Sequence, residues 1–187
     1  MTDKKQIAIL IAKGLIETGV EGGYDNVCRS TAYDSICIGV SSWEQGRAQT
    51  LLSMIDGAEP FMNREYSDFT NRELDELSNL LDSESGQEAQ LKLLASDCED
   101  YIDACIEVGL TGIKSIVYAA MWMPTSTYVV QDFVESGFNE GYDMNDLEII
   151  HDRFFESYAN FADCSEYTEG YQNRADNTYE YCNELGT

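Results

Sequence analysis

One stretch constrains this chain more than any other. Across residues 87–108, Ala89, Leu91, Leu94, Ala95, Cys98, Tyr101, Ile102 and Cys105 recur at spacings of three and four. That is the period of one apolar face on a long α-helix. Gly109 and Gly112 end it, and residues 113–123 are then nearly all apolar up to Pro124. This second run reads as a buried central helix stopped by the proline. A chain with both segments must build its core from packed helices.

The remaining pattern fills in around them. Thr2-Asp3 can cap a helix running to about Glu17, with Ile7, Leu10, Ile11 and Leu15 on one face. Further helices are expected over residues 46–54, 70–81, 129–136, 144–158 and 171–185. The third of these six opens on Thr70-x-x-Glu73, a capping box, and the fifth on Asn145 or Asp143 as cap. Residues 82–86 read as a turn and 24–33 as loop, while the alternation over 33–42 suits a short β-hairpin. The expectation is an α+β fold, predominantly α-helical, with seven or eight helices and little sheet.

At 187 residues and 43% apolar content the chain suits one domain, with room for a small subdomain. Eleven basic residues against 35 acidic ones leave a net charge of −24. A surface so acidic repels phosphates and anionic lipid, so nucleic-acid and membrane partners are not expected. The apolar run at residues 7–12 is too short to span a bilayer, and no signal-peptide cleavage site follows it. Six cysteines show no CxxC pair and no Cys/His metal spacing, so neither a metal nor a cofactor is expected. Cys28 and Cys37 flank a loop they could clip as a disulfide; as free thiols they would pack as small apolar groups. His151 is the only histidine and is expected on a helix surface; without it no serine or cysteine triad can be assembled.

The chemistry-bearing candidates lie between residues 16 and 52. Glu21-Gly22-Gly23 breaks the chain after the first helix, so Glu21 should project from a helix terminus into a cleft. Glycoside hydrolysis needs such an acid, kept protonated in a poorly solvated seat, to protonate the leaving oxygen. Glu17, one helical turn earlier, is its backup. Asp34, from the hairpin, or Glu44 could supply a second carboxylate. Tyr24, Tyr33, Ser42 and Trp43 are candidate sugar contacts. Trp43 reads as a core residue first and as a sugar-stacking platform second.

The segment Glu21-Gly22-Gly23-Tyr24-Asp25-Asn26-Val27, with Ile38-Gly39-Val40-Ser41-Ser42-Trp43 downstream, resembles the lysozyme-like muramidase domains of phage endolysins and tail-associated cell-wall hydrolases. Ser85-Gly86-Gln87-Glu88-Ala89-Gln90, followed by Leu93, Asp97 and Tyr101, looks like that family's S-G-x-x-A-Q helix. Ile116-Val117-Tyr118-Ala119-Ala120 looks like its buried helix, and the run from Tyr171 through Arg174 to Tyr181 like its closing helix. The chain departs from the pattern at Ser42, where many relatives carry glutamine. It departs again at Met121-Trp122-Met123-Pro124, where the family continues with an aspartate and an N-Q-x-G-like turn.

The resemblance implies a single lysozyme-like catalytic domain over residues 1–187, with a β-hairpin beside the cleft. It implies a glycosidase that cleaves bacterial peptidoglycan, with Glu21 as general acid and the hairpin's Asp34 favoured over Glu44 as second carboxylate, or a lytic transglycosylase if no second carboxylate takes part. It also implies release by host lysis or carriage on a virion, and wall affinity from a separate module or subunit. Arg174, a scarce cation here, is expected to pair with buried or cleft carboxylates. The rival reading is a catalytically silent acidic protein, either a virion component or a DNA mimic.

Overall fold

The computed structural model describes residues 3–19 and 22–186, which form eight α-helices and one three-stranded antiparallel sheet. The mostly helical α+β class is as the sequence implies. The chain divides into two compact units, residues 1–20 with 95–187, and residues 21–94.

The first unit is helical. It holds α1 (Lys4–Glu17), the second half of α4 (Glu84–Glu107) from Ala95 on, α5 (Ile113–Ala120), α6 (Thr127–Asn139), α7 (Leu147–Phe161) and α8 (Thr168–Glu184). Asp3 caps α1, its carboxylate accepting from Lys5 N–H. Ile7, Ile11 and Leu15 are buried as expected, joined by Ala8, Ala12 and Gly14, whereas Leu10 is half-buried. A Cβ on Gly14 would lie 2.6 Å from the Tyr181 ring and 2.8 Å from Met121 Sδ, so the close approach of α8 to α1 needs glycine there. The centre is α5 and the buried residues after it. Trp122 packs its ring 4.8 Å from both Phe154 and Tyr158, and Phe133 lies 4.8 Å from Phe154.

Several boundaries differ from expectation, each for a local reason. The apolar run at 113–123 is buried from Ser115 to Met123, but α5 stops at Ala120. Trp122 N–H and Met123 N–H turn to the carbonyls of Ala119 and Ala120, at 3.0 and 3.1 Å, a tighter winding than α. Pro124 disfavours helical backbone at the residue before it, so the helix ends early. The cap of α7 is Asp146, whose carboxylate accepts from Glu148 and Ile149 N–H, rather than Asn145 or Asp143. Asn145 instead accepts from the N–H groups of Thr111 and Gly112 at 2.7 and 3.1 Å, at the start of α5.

His151 is not on an open helix surface. Its side chain is 16% exposed, with its ring 4.5 Å from that of Tyr179 and its Nε2 3.6 Å from Asp176.

The second unit carries the sheet. β1 (Val27–Arg29), β2 (Ile36–Ile38) and β3 (Trp43–Glu44) pair in that order, with Cys28 opposite Cys37 and Ile38 opposite both Val27 and Trp43. The hairpin expected over 33–42 is therefore displaced. It forms between β2 and β3, and a further strand falls inside the stretch read as loop. β1 is largely exposed, which is why alternation did not reveal it. α2 (Gln45–Leu52) and α3 (Asn71–Leu81) follow, the latter with both bonds of the Thr70–Glu73 capping box. Residues 84–86, expected in a turn, already belong to α4, because Ser83 Oγ accepts from Gly86 N–H at 3.2 Å and starts the helix early. Among the described residues no helix is long and apolar enough to cross a membrane.

Candidate functional site

The two halves of the sequence motif meet in the second unit. Gly22 N–H donates to the Val40 carbonyl at 2.6 Å, and Gly39 N–H donates to the Asn26 carbonyl at 2.8 Å. The Asn26 amide adds bonds to Gly39 O at 3.3 Å and Ser42 Oγ at 3.1 Å. The stretch after Glu21 is thus stitched to the turn between β2 and β3. Glu21 itself lies outside the described residues. Gly39 has φ +72°, and Ser42 and Gln45 follow at φ +48° and +47°. So tight a reversal favours glycine at its first left-handed position. Beneath the turn sits Gln90, which in the sequence stands only as part of a helix motif. Its carboxamide bonds to Val40 N–H, Tyr24 O and Leu81 O.

The candidate carboxylates are not equally placed. Asp34 lies in the β1–β2 connection, where Ser30 N–H donates to the Ser35 carbonyl, and the Asn26–Gly39 pair closes the opposite end of the ladder. At about 3.3 Å per residue the two ends are roughly 13 Å apart. The structure therefore does not bring Asp34 to the Gly22–Val40 contact. Its carboxylate is 3.2 Å from the Arg29 guanidinium, and its backbone carbonyl accepts from Tyr66 N–H. Glu44 stands closer, paired with Cys37, two residues before Gly39. The Cys37 thiol donates to Glu44 Oε2 at 3.7 Å. Burial, then the neighbouring Cys28 and Glu44, push the Cys37 thiol up to about 11, so it stays protonated as that donor.

Of the proposed sugar contacts, Trp43 takes its core alternative, at 6% exposure. Tyr24 is half-buried, Ser42 is exposed, and Tyr33 is 56% exposed. Tyr33 belongs to a surface concavity of about 410 Å³ formed by residues 29–34. All six cysteines are free thiols.

The first unit carries two adjoining depressions along the end of α1 and α8. One of about 300 Å³ is lined by Glu17, Thr18, Asn177, Glu180, Tyr181 and Glu184. The other, about 250 Å³, is lined by Thr18, Gly19, Gly170, Asn173, Arg174 and Asn177. Glu17, the backup acid, therefore faces a groove. Burial first, then the neighbouring Glu17 and Cys182, raise the Tyr181 phenol to about 12. The Tyr181 hydroxyl donates to Leu10 O at 2.6 Å. The Arg174 guanidinium donates to the Met121 carbonyl and lies 4.8 Å over the Trp122 ring.

Among the described residues no cluster of His, Cys, Asp and Glu is arranged to hold a metal ion. Compared with known proteins, the chain matches no family model, no curated protein and no solved structure.

Proposed function

We propose that this protein is a lysozyme-like peptidoglycan glycosidase of the phage muramidase type, with Glu21 as the general acid. The observation that carries the reading is the Gly22–Val40 hydrogen bond of 2.6 Å. The motif consists of an acid with two glycines and, some distance on, a glycine turn with a tryptophan. Those halves resemble a muramidase site only if they are neighbours in space, and the backbone joins them.

In this reading Glu21 protonates the glycosidic oxygen as the bond breaks, and an oxocarbenium-like sugar develops beside it. Gly22 and Gly23 carry no side chains, so a glycan strand can approach the backbone there. Glu44 is better placed than Asp34 to act as the second carboxylate, because it lies on the strand next to the turn. The cell wall is the partner. The charge of −24 means that affinity for an anionic wall must come from short-range contacts or another module, not long-range attraction.

Glu21→Gln removes a proton donor with almost no change of volume. It should lower clearing of purified cell walls by on the order of 10²-fold or more while leaving the helical circular dichroism unchanged. Mass spectrometry of the fragments then separates hydrolysis, which leaves reducing ends, from transglycosylation, which leaves anhydro ends. A Glu21→Gln protein that clears walls at the parent rate removes the assignment.

A further inference from the structure

Gln90 is fully buried on α4, yet every side-chain bond it makes leaves that helix. Oε1 accepts from Val40 N–H at 2.9 Å, while Nε2 donates to Leu81 O at 2.9 Å and Tyr24 O at 3.2 Å. These partners are 50, 9 and 66 residues away in sequence. Among uncharged side chains of this length, only glutamine offers an acceptor together with two donors.

Val40 extends the network. Its N–H is held by Gln90 and its carbonyl holds Gly22 N–H at 2.6 Å. One carboxamide therefore refers both ends of residues 22–24 to the same point: Gly22 through Val40, and Tyr24 directly. The fit at the turn is close as well. A Cβ on Gly39 would sit 2.5 Å from Gln90 Oε1, so glycine there serves both the φ of +72° and the approach of the amide.

We infer that Gln90 is a positioning residue for the glycosidase site: a buried carboxamide that locks the backbone following Glu21 against the Gly39–Val40 turn. The inference rests on the reading of Glu21 as the general acid. Gln90 touches no substrate and acts only through the backbone it holds. Such a role is worth having because small displacements of a catalytic group are costly, on the order of 10²-fold for about 1 Å. A buried polar network is also stiff, since each member lost leaves others unpaired.

Two variants test it. Gln90→Met keeps length and volume but loses all three bonds. Gln90→Glu keeps an acceptor for Val40 and has an O–H donor only when protonated. Amide hydrogen exchange by NMR and kcat and KM on purified peptidoglycan are the readouts. In Gln90→Met, the amides of Gly22 and Val40 should exchange roughly tenfold faster or more, the loss of one such bond, while Leu77 on α3 is unchanged. Its kcat should fall by on the order of 10²-fold, with KM changing much less.

For Gln90→Glu, the ratio of its kcat to the parent's should climb as pH falls and the donor returns. Unchanged exchange at Gly22 and Val40 overturns the inference, as does a kcat loss no larger than the unfolded fraction of Gln90→Met explains. If Gln90→Met does not fold, a pH-independent ratio for Gln90→Glu overturns it instead. A parent protein that releases no glycan fragments refutes the glycosidase reading itself. A parent with full activity beside a fully active Gln90→Met refutes only the positioning role.

Discussion

Each of the two units buries an apolar core, but the contacts each adds to that core differ. The helical unit is built on rings: Trp122 and Phe133 each meet Phe154 and Tyr158 edge-on or tilted, Phe154 stacks on Tyr158, and each ring is fully buried or nearly so. The sheet-bearing unit has strands of three, three and two residues, too short to be stable on backbone pairing alone. Its turns are fastened by polar side chains instead. Gln90 holds the turn at 39–40 from beneath. Arg64 gathers the carbonyls of Pro60 and Asp68 and the carboxylate of Glu73, and stacks 4.1 Å over Phe69. Packed rings resist any change of shape, whereas directed bonds hold particular backbone atoms at particular points. The motif that suggests catalysis lies in the second kind of structure, where geometry is set atom by atom.

The largest effect should come from breaking the ring core. Trp122 is fully buried, and truncation to alanine leaves a cavity bounded by Phe154 and Tyr158. Trp122→Ala should lower unfolding free energy by about 3–5 kcal/mol, read from denaturant midpoints at constant m. A loss below about 1 kcal/mol, the scale of a single hydrogen bond, would mean that the two units do not differ as described.

A smaller change sharpens the contrast from the other side. Asn26–Gly39 and Ser30–Ser35 are hydrogen-bonded pairs, so by alternation Cys28–Cys37 is one too. Such pairs have Cα atoms about 5.5 Å apart, inside the range a disulfide can span. Oxidised glutathione should therefore link them. The exposed Cys28 thiolate attacks the glutathione disulfide and expels one glutathione thiolate. Cys37 then loses its proton and displaces the second glutathione. The link should stabilise the protein by ~2–3 kcal/mol on the chain-entropy model, and it withdraws the thiol proton that Glu44 accepts. Peptide mapping without reductant checks it: alkylatable thiols at both positions after oxidation would rule the link out.

The same contrast explains what could be read in the sequence. The helices were legible because period and caps are local, as with Asp3 before α1 and the Thr70–Glu73 box before α3. The cap of α7 is not legible in the sequence because three neighbouring residues, Asp143, Asn145 and Asp146, all have capping chemistry. Only the fold diverts Asn145 to Thr111 and Gly112. β1 is not legible either, because an exposed three-residue strand has no alternation to show. Asp34 could be named as a carboxylate, but not its place at the far end of the ladder beside Arg29. Gln90 stood inside a helix motif, and nothing in its neighbours announced partners at Tyr24 and Val40. Ring cores leave a periodic trace in the chain, and polar fastenings across tens of residues do not.

The smallest effect separates buried fastenings from exposed ones. Glu73 accepts from Arg64 at 2.9 Å, from Thr70 N–H at 2.8 Å and from the Thr70 hydroxyl at 2.7 Å. The Arg64 bond first, then the two from Thr70, hold its carboxyl down at about 2, against an ordinary value of 4.5. Because the folded value is the lower one, the stabilisation is complete above about 4.5 and is lost as pH falls through about 2. NMR titration of the Glu73 carboxyl carbon should show that low midpoint. It should rise toward 4.5 in both Arg64→Met and Thr70→Ala, and further in Arg64→Met, whose bond is the leading cause. Thr70→Ala should cost about 1 kcal/mol at neutral pH through the lost cap. A parent midpoint already near 4.5 would mean that this clamp is open in solution. The uncharged Gln90 network cannot titrate at all, so it should keep Gly22 and Val40 protected from exchange at pH values where the Arg64–Glu73 clamp has let go.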